Sequence, residues 1–167
     1  MKLNSIITVA TTWALAVAAP QASVQRGATT LVLKEVGGVP GNECLTFRNN
    51  GEIVDAACVN TAADRQLTPS RLNGANVLLV QRSFSNGFRP DLAGRQACVG
   101  FNGTHFRAED CASRRVQFVS FTNNNRMVAS PSNACLSGHD RIAQVTVDVS
   151  GRTCARFTST TVAATRP

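Results

Sequence analysis

The stretch NECLTFRNNGEIVDAACVNTAADRQLT, residues 42–68, decides the fold. It holds two cysteines, a leucine directly after the first, an Asn-Gly turn, and a following strand that contains Gln66. An Asn-Gly pair between two apolar runs is a strong local signal for a β-hairpin. The stretch is therefore either an isolated disulfide loop or the first copy of a repeated unit.

Two further stretches have the same organisation. CVGFNGTHFRAEDC begins at Cys98, and CLSGHDRIAQVTVDVSGRTC begins at Cys135. Each starts with a cysteine and an aliphatic residue, passes a polar turn that contains glycine, runs through a short strand and ends on a cysteine. The three copies start roughly 45 residues apart, a spacing typical of repeat architectures. Gln117 follows the second copy as Gln66 follows the first, and the third copy lacks this glutamine.

Outside these copies the apolar residues come in short runs between turn dipeptides, without sustained helical periodicity. Val145, Val147 and Val149 alternate with polar residues, as in a strand with one solvated face. Many short strands at even spacing predict an all-β sandwich or barrel.

The repeats resemble the β-trefoil of the ricin B lectin superfamily, of the kind found in small secreted fungal proteins. The resemblance covers most of residues 27–160, although Thr68 and Val119 stand where that family has the Trp of its Gln-x-Trp motif. The residues alone leave the cysteine pairing open. The resemblance implies three repeats, each with a local disulfide: Cys44 with Cys58, Cys98 with Cys111, and Cys135 with Cys154.

The chain is predicted to divide into four segments. Residues 1–18, with Lys2, an apolar run and a small-residue exit, are typical of a secretory signal peptide. Residues 19–26 are predicted to be a disordered or processed leader, 27–162 the β-trefoil domain and 163–167 a frayed tail. No later apolar run is long enough to span a bilayer. We therefore expect a secreted, extracellular protein, and its six cysteines indicate three disulfides.

Composition and motifs exclude several classes of function. The net charge of +7 comes from dispersed arginines, so a nucleic-acid partner is not expected. There is no tyrosine, and the single tryptophan, Trp13, lies in the signal peptide, so a site built on either ring is excluded. Neither a Gly-x-Ser-x-Gly elbow nor a metal-binding motif such as Cys-x-x-Cys or His-x-x-x-His is present. We expect no cofactor and no metal.

One candidate function is lectin-like binding of a glycan. The resemblance implies such binding, and in the second repeat Phe101 or His105 would supply an apolar face and Asn102 a polar partner. Asn102-Gly103-Thr104 is also an N-glycosylation sequon, which predicts a surface turn and a glycoprotein.

A second candidate is a secreted RNase-like toxin. Residues two apart on a strand share a face, so His105, Arg107 and Glu109 would project together as base, cation and acid. His139 would supply a second imidazole.

The leading interpretation is a secreted, basic, non-enzymatic binding protein, effector-like and linked to virulence by type. It would act as a monomer by occupying an extracellular protein or glycan, including one of a host. A Kunitz-like protease inhibitor is a further alternative, with Arg82, Phe84 and Arg89 on its inhibitory loop.

Overall fold

The structure is a computed structural model that describes residues 23–165, so the predicted signal peptide lies outside the described residues. Within that range the chain forms thirteen strands and one 3₁₀ turn, Ala63–Arg65, which confirms the all-β class. None of its described segments is a helix long and apolar enough to cross a membrane. The strands are β1 (Val24–Gln25), β2 (Thr30–Glu35), β3 (Glu43–Phe47), β4 (Ile53–Ala57), β5 (Gln66–Leu72), β6 (Ala75–Val80), β7 (Ala97–Phe101), β8 (Phe106–Asp110), β9 (Gln117–Phe121), β10 (Met127–Ala129), β11 (Cys135–His139), β12 (Val145–Asp148) and β13 (Phe157–Val162).

Three of the strand pairs are hairpins at the predicted repeats: β3–β4, β7–β8 and β11–β12. A disulfide joins the first strand of each hairpin to the segment that follows its second strand. The pairing is the local one: Cys44–Cys58, Cys98–Cys111 and Cys135–Cys154. Each bridge closes a short loop, which stabilises the fold by about 3 kcal/mol in the chain-entropy model.

The strands that flank the hairpins pair with one another, always antiparallel. β5 pairs with β6, β9 with β10, and β13 with β2, so each hairpin-containing stretch is joined to the next and the last to the first. β2 also pairs with β5, and β7 pairs with both β6 and β9. Eleven strands form one large sheet, and β3–β4 forms a separate two-stranded sheet.

Hairpin β3–β4 contacts the other two hairpins through single backbone bridges. Glu52 pairs with Arg107 of β8, and Val54 pairs with Gln144, which directly precedes β12. The three hairpins therefore meet around β4, and side chains on this strand lie close to residues that are distant in sequence.

The core lies beneath these strands. Its largest fully buried rings are Phe47, Phe106 and Phe157, one from each hairpin-containing stretch. Burying one such side chain contributes about 1.5–3 kcal/mol. A second, smaller cluster surrounds the middle disulfide and consists of Leu72, Val77, Leu79, Cys98 and Cys111.

Residues of both predicted terminal segments contact the rest of the fold. The segment predicted as a disordered or processed leader, 19–26, includes Val24 and Gln25, which pair with β5. Beyond β13, the backbone N–H of Thr165 donates to Oε1 of Gln66 at 2.7 Å, so the tail is held at least to this residue. The Gln66 side chain is fully buried and also donates to the Asn60 carbonyl oxygen at 2.8 Å. A glutamine expected to mark a repeat therefore anchors the segment after β13.

Candidate functional site

The four residues of the RNase hypothesis lie in different settings. Arg107 and Glu109 share a face of β8 as predicted, and their side chains form an ion pair of 2.6 Å. Nη2 of Arg89 also lies 3.4 Å from Glu109, so this carboxylate pairs with both Arg107 and Arg89. His105 is exposed in the turn before β8, whereas His139 contacts two carboxylates elsewhere. Arg107 and Glu109 therefore form a structural ion pair, and no common site with both histidines results.

The residues proposed to bind sugar in the second repeat also separate. Phe101 is buried and packs edge-on against Phe106, with ring centroids 5.5 Å apart, so neither of its faces is open to a ligand. Asn102 is exposed, and its Oδ1 accepts hydrogen bonds from the backbone of Thr104 and His105. This side chain shapes the turn, and the sequon lies on the surface as predicted.

The three side chains proposed for the inhibitory loop are buried or half-buried, although other residues of the loop are exposed. Phe84 and Arg89 are buried, and Arg82 donates to the Phe47 carbonyl oxygen and lies over the Phe84 ring at 5.2 Å. An inhibitory loop must offer its contact side chains to an enzyme. These three residues instead hold the segment after β6 against the hairpins, which argues against the inhibitor hypothesis.

An open groove of about 660 Å³ lies beside hairpin β3–β4. Phe88 borders this groove with 60% of its surface exposed, while the other described phenylalanines are buried or half-buried. Arg82 Nη2 donates to Asn49 Oδ1 at 2.7 Å within it, and Asn50 adds a second amide. An apolar ring beside a few convergent polar groups is typical of a ligand-binding pocket.

A carboxylate–imidazole cluster lies near the same hairpin and consists of Glu35, Asp55 and His139. Nδ1 of His139 lies 3.0 Å from Oε2 of Glu35 and 3.6 Å from Oδ2 of Asp55. One ligand atom from each residue lies within 4.8 Å of those of the other two, so the three groups could hold a cation. The Asp55 side chain is only 2% exposed, yet neither of its oxygens accepts a hydrogen bond from residues 23–165. Buried polar atoms without partners are rare in folded proteins, so this carboxylate requires an explanation.

The charges around Asp55 are mostly negative. Burial is the largest cause that raises the pKa of Asp55, and with Glu35 and Glu43 it brings the value to about 6, while His139 acts in the opposite direction. Lys34 precedes Glu35 within β2, but its ammonium donates to the Gly41 carbonyl oxygen at 2.9 Å. The cluster therefore concentrates negative charge in a protein whose net charge is +7.

The hairpin register shows that two cluster residues replace apolar ones. In each hairpin the residue after the first cysteine pairs with one residue of the second strand, and these partners are Asp55, Ala108 and Val147. The first strands end on Phe47, Phe101 and His139. An irregularity between Leu136 and Gly138 adds one residue to β11, so counting from the cysteine does not align His139 with the two phenylalanines. Sequence reasoning missed the cluster for this reason, and because Glu35 lies outside the repeats' cysteine loops.

Replacing Asp55 with asparagine is expected to stabilise the protein at pH 7 by about 3 kcal/mol in a chelating buffer. Because the pKa of Asp55 is about 6 in the folded chain, against an ordinary value of 3.8, the folded state binds this proton more tightly than the unfolded state. The contribution of Asp55 to stability is thus most favourable below pH 3.8 and falls as the pH rises towards 6. Urea unfolding followed by circular dichroism measures the difference between variant and wild type. A difference that stays constant from about pH 4 to pH 7 would contradict the pKa assignment.

In comparisons with known proteins, no protein-family model, no curated protein and no solved structure matches this chain.

Proposed function

We propose that the chain is a secreted, non-enzymatic binding protein built on a β-trefoil, and that it recognises a glycan through the groove bordered by Phe88. The strand pairing supports the trefoil. Each stretch consists of a strand, a disulfide-closed hairpin and a second strand, and the outer strands join the stretches in a closed order of three. Additional support comes from the backbone hydrogen bond of 2.9 Å from Phe157 of β13 to Asn125, which lies in the turn between β9 and β10.

Secretion is supported by the signal-like start of the sequence and by the three disulfides, which persist in oxidising compartments. Occupancy of a target, including a host glycan, is the mode of action that we infer. Two of the residues proposed for RNA cleavage, Arg107 and Glu109, form an ion pair of 2.6 Å on β8. Their mutual pairing favours binding over catalysis.

The exposed ring of Phe88 is the observation that carries the ligand proposal. A sugar has one apolar face and a rim of hydroxyl groups, so it requires an aromatic ring together with hydrogen-bonding partners. Phe88 offers the ring, and the groove beside it contains Asn49, Asn50 and the acceptor Asp64. This site replaces the predicted one around Phe101, whose ring is buried.

Phe88→Ala is expected to weaken glycan binding about tenfold, which corresponds to about 1.4 kcal/mol. A glycan array identifies the ligand, and titration calorimetry with that glycan measures the affinity of each variant. Ile142→Ala is the matched control, because Ile142 is also an exposed apolar side chain but does not line the groove. Absence of any binding on the array, or equal losses in both variants, would refute the proposed function.

A further inference from the structure

Glu35, Asp55 and His139 come from three separate strands, β2, β4 and β11, and converge on one point of the interior. We propose that they form a binding site for a divalent transition-metal cation of the Zn²⁺ type, with one ligand atom from each residue and water completing the coordination. Asp55 also lines the proposed glycan groove, whereas Glu35 and His139 do not.

The unpartnered carboxylate of Asp55 is the first observation that points to a ligand. Its side chain is 98% removed from solvent, and within the described residues neither oxygen accepts a hydrogen bond. An isolated buried carboxylate is costly, because the interior solvates its charge far less than water does. A cation bound between the three side chains would supply the missing partner. Buried charges in proteins are normally paired or coordinate metals.

The distances fit a coordination shell. Zn²⁺ binds imidazole nitrogen and carboxylate oxygen at about 2.0–2.2 Å, so neighbouring ligand atoms of a tetrahedral site lie about 3.3–3.6 Å apart. His139 Nδ1 lies 3.0 Å from Glu35 Oε2 and 3.6 Å from Asp55 Oδ2. The Glu35 and Asp55 oxygens lie within 4.8 Å of each other, so side-chain movements would bring all three atoms to these spacings.

Two glycines leave room for the Glu35 carboxylate. A Cβ on Gly38 would lie 2.9 Å from Oε2 of Glu35, and a Cβ on Gly138 would lie 3.4 Å from Oε1. Gly138 also has a φ of +135°, a backbone conformation that side chains disfavour. The backbone on both sides thus accommodates the position at which Glu35 meets the other two groups.

The donor set selects the class of cation. Imidazole suits Zn²⁺ and other transition metals, whereas Ca²⁺ requires six to eight oxygen ligands and Mg²⁺ prefers carboxylates with water. Three protein ligands leave a coordination position for water, and His139, 24% exposed, lies on the side of the cluster open to solvent. A bound cation would join β2, β4 and β11 and stabilise the fold by mass action.

The test is direct metal binding by the full chain after treatment with a chelator. Titration calorimetry with ZnCl₂ is expected to show one ion per chain for the wild type. Asp55→Asn and His139→Gln are each expected to weaken binding by at least about 100-fold, since even loss of an outer-shell partner costs about 10- to 100-fold. His105→Gln is the matched control, because His105 is the other histidine of the chain and lies exposed in a turn. It should bind Zn²⁺ as the wild type does.

Folding of the variants is checked by circular dichroism, and Asp55→Asn is expected to fold because its amide has the shape of the carboxylate it replaces. Substitution with Co²⁺ gives a second readout, since the absorption spectrum reports ligation by His139 and the carboxylates. No Zn²⁺ binding by the wild type, or unchanged binding by a folded Asp55→Asn variant, would overturn the site. Both results leave the glycan proposal standing, because that proposal depends on Phe88, which is not part of the cluster.

Discussion

Replacing Arg89 with methionine is expected to destabilise the protein by about 3–5 kcal/mol, the range for removing one partner of a buried ion pair, because Glu109, 14% exposed, would lose this cation. The Arg89 side chain is only 7% exposed. Its Nη1 donates to the Ala108 carbonyl oxygen at 2.8 Å and to that of Asn50 at 3.2 Å, while Nε and Nη2 bind the Asp91 carboxylate at 2.9 and 2.7 Å. One guanidinium thus joins the segment after β6 to two hairpins. Methionine fills similar space but leaves both carbonyl oxygens without these donors.

Arg95→Met is the matched control for this prediction. Arg95 also pairs with a carboxylate, Asp110, at 2.6 Å, but its side chain is 61% exposed. Exposed ion pairs contribute about 0–1 kcal/mol, so this variant should lose less than about 1 kcal/mol. Urea unfolding followed by far-ultraviolet circular dichroism gives both values. Equal losses in the two variants would mean that burial of Arg89 adds nothing to its contribution.

Arg89→Lys separates charge from geometry. Lysine keeps the positive charge but cannot donate the parallel hydrogen bonds that the planar guanidinium makes. We expect Arg89→Lys to be less stable than the wild type but more stable than Arg89→Met. The guanidinium also packs tightly against Gly51, where a side chain would collide with Nη1.

Removing the disulfide between Cys98 and Cys111 by double alanine substitution is expected to cost about 3–5 kcal/mol. Both cysteines are buried in the smaller apolar cluster, where they pack with Leu72 and Leu79. The loss therefore combines the chain entropy of the reduced protein with the loss of packing around the two sulfur atoms.

The disulfide between Cys44 and Cys58 provides the comparison. The two bridges span 14 and 13 residues, so their chain-entropy contributions are nearly equal. Cys58 is only half-buried, so double alanine substitution at Cys44 and Cys58 should cost about 1 kcal/mol less. Unfolding in urea at a fixed pH measures the difference. A larger loss at the first bridge would show that packing around Cys98 contributes little.

Several local features were predictable from the sequence. The first two hairpins follow from Asn-Gly turns between short apolar runs, and the pairing of Arg107 with Glu109 follows from their spacing on a strand. The third hairpin turns at residues 140–144, and Gly138, expected in its turn, lies within β11. Turn chemistry and the alternation of side chains act over a few residues, so they can be read without the fold.

The candidate sites were less accessible to sequence reasoning. Phe88 was part of a loop proposed for another role, and only burial of the neighbouring Phe84 and Arg89 distinguishes it as the exposed ring. Asp55 is visible in the sequence as an acidic residue within an apolar strand. Its significance depends on the residues that face it from other strands.

By itself the sequence determined the all-β class, the two Asn-Gly hairpins and the even set of cysteines, because each depends on short-range pattern and composition. Only the tertiary structure decided that Glu35, Asp55 and His139 meet, since the contact joins residues up to 104 positions apart. It likewise decided that Arg89 is a structural cation. Such contacts depend on strand register and on the irregularity in β11, where one added residue changes which side chain faces the cluster.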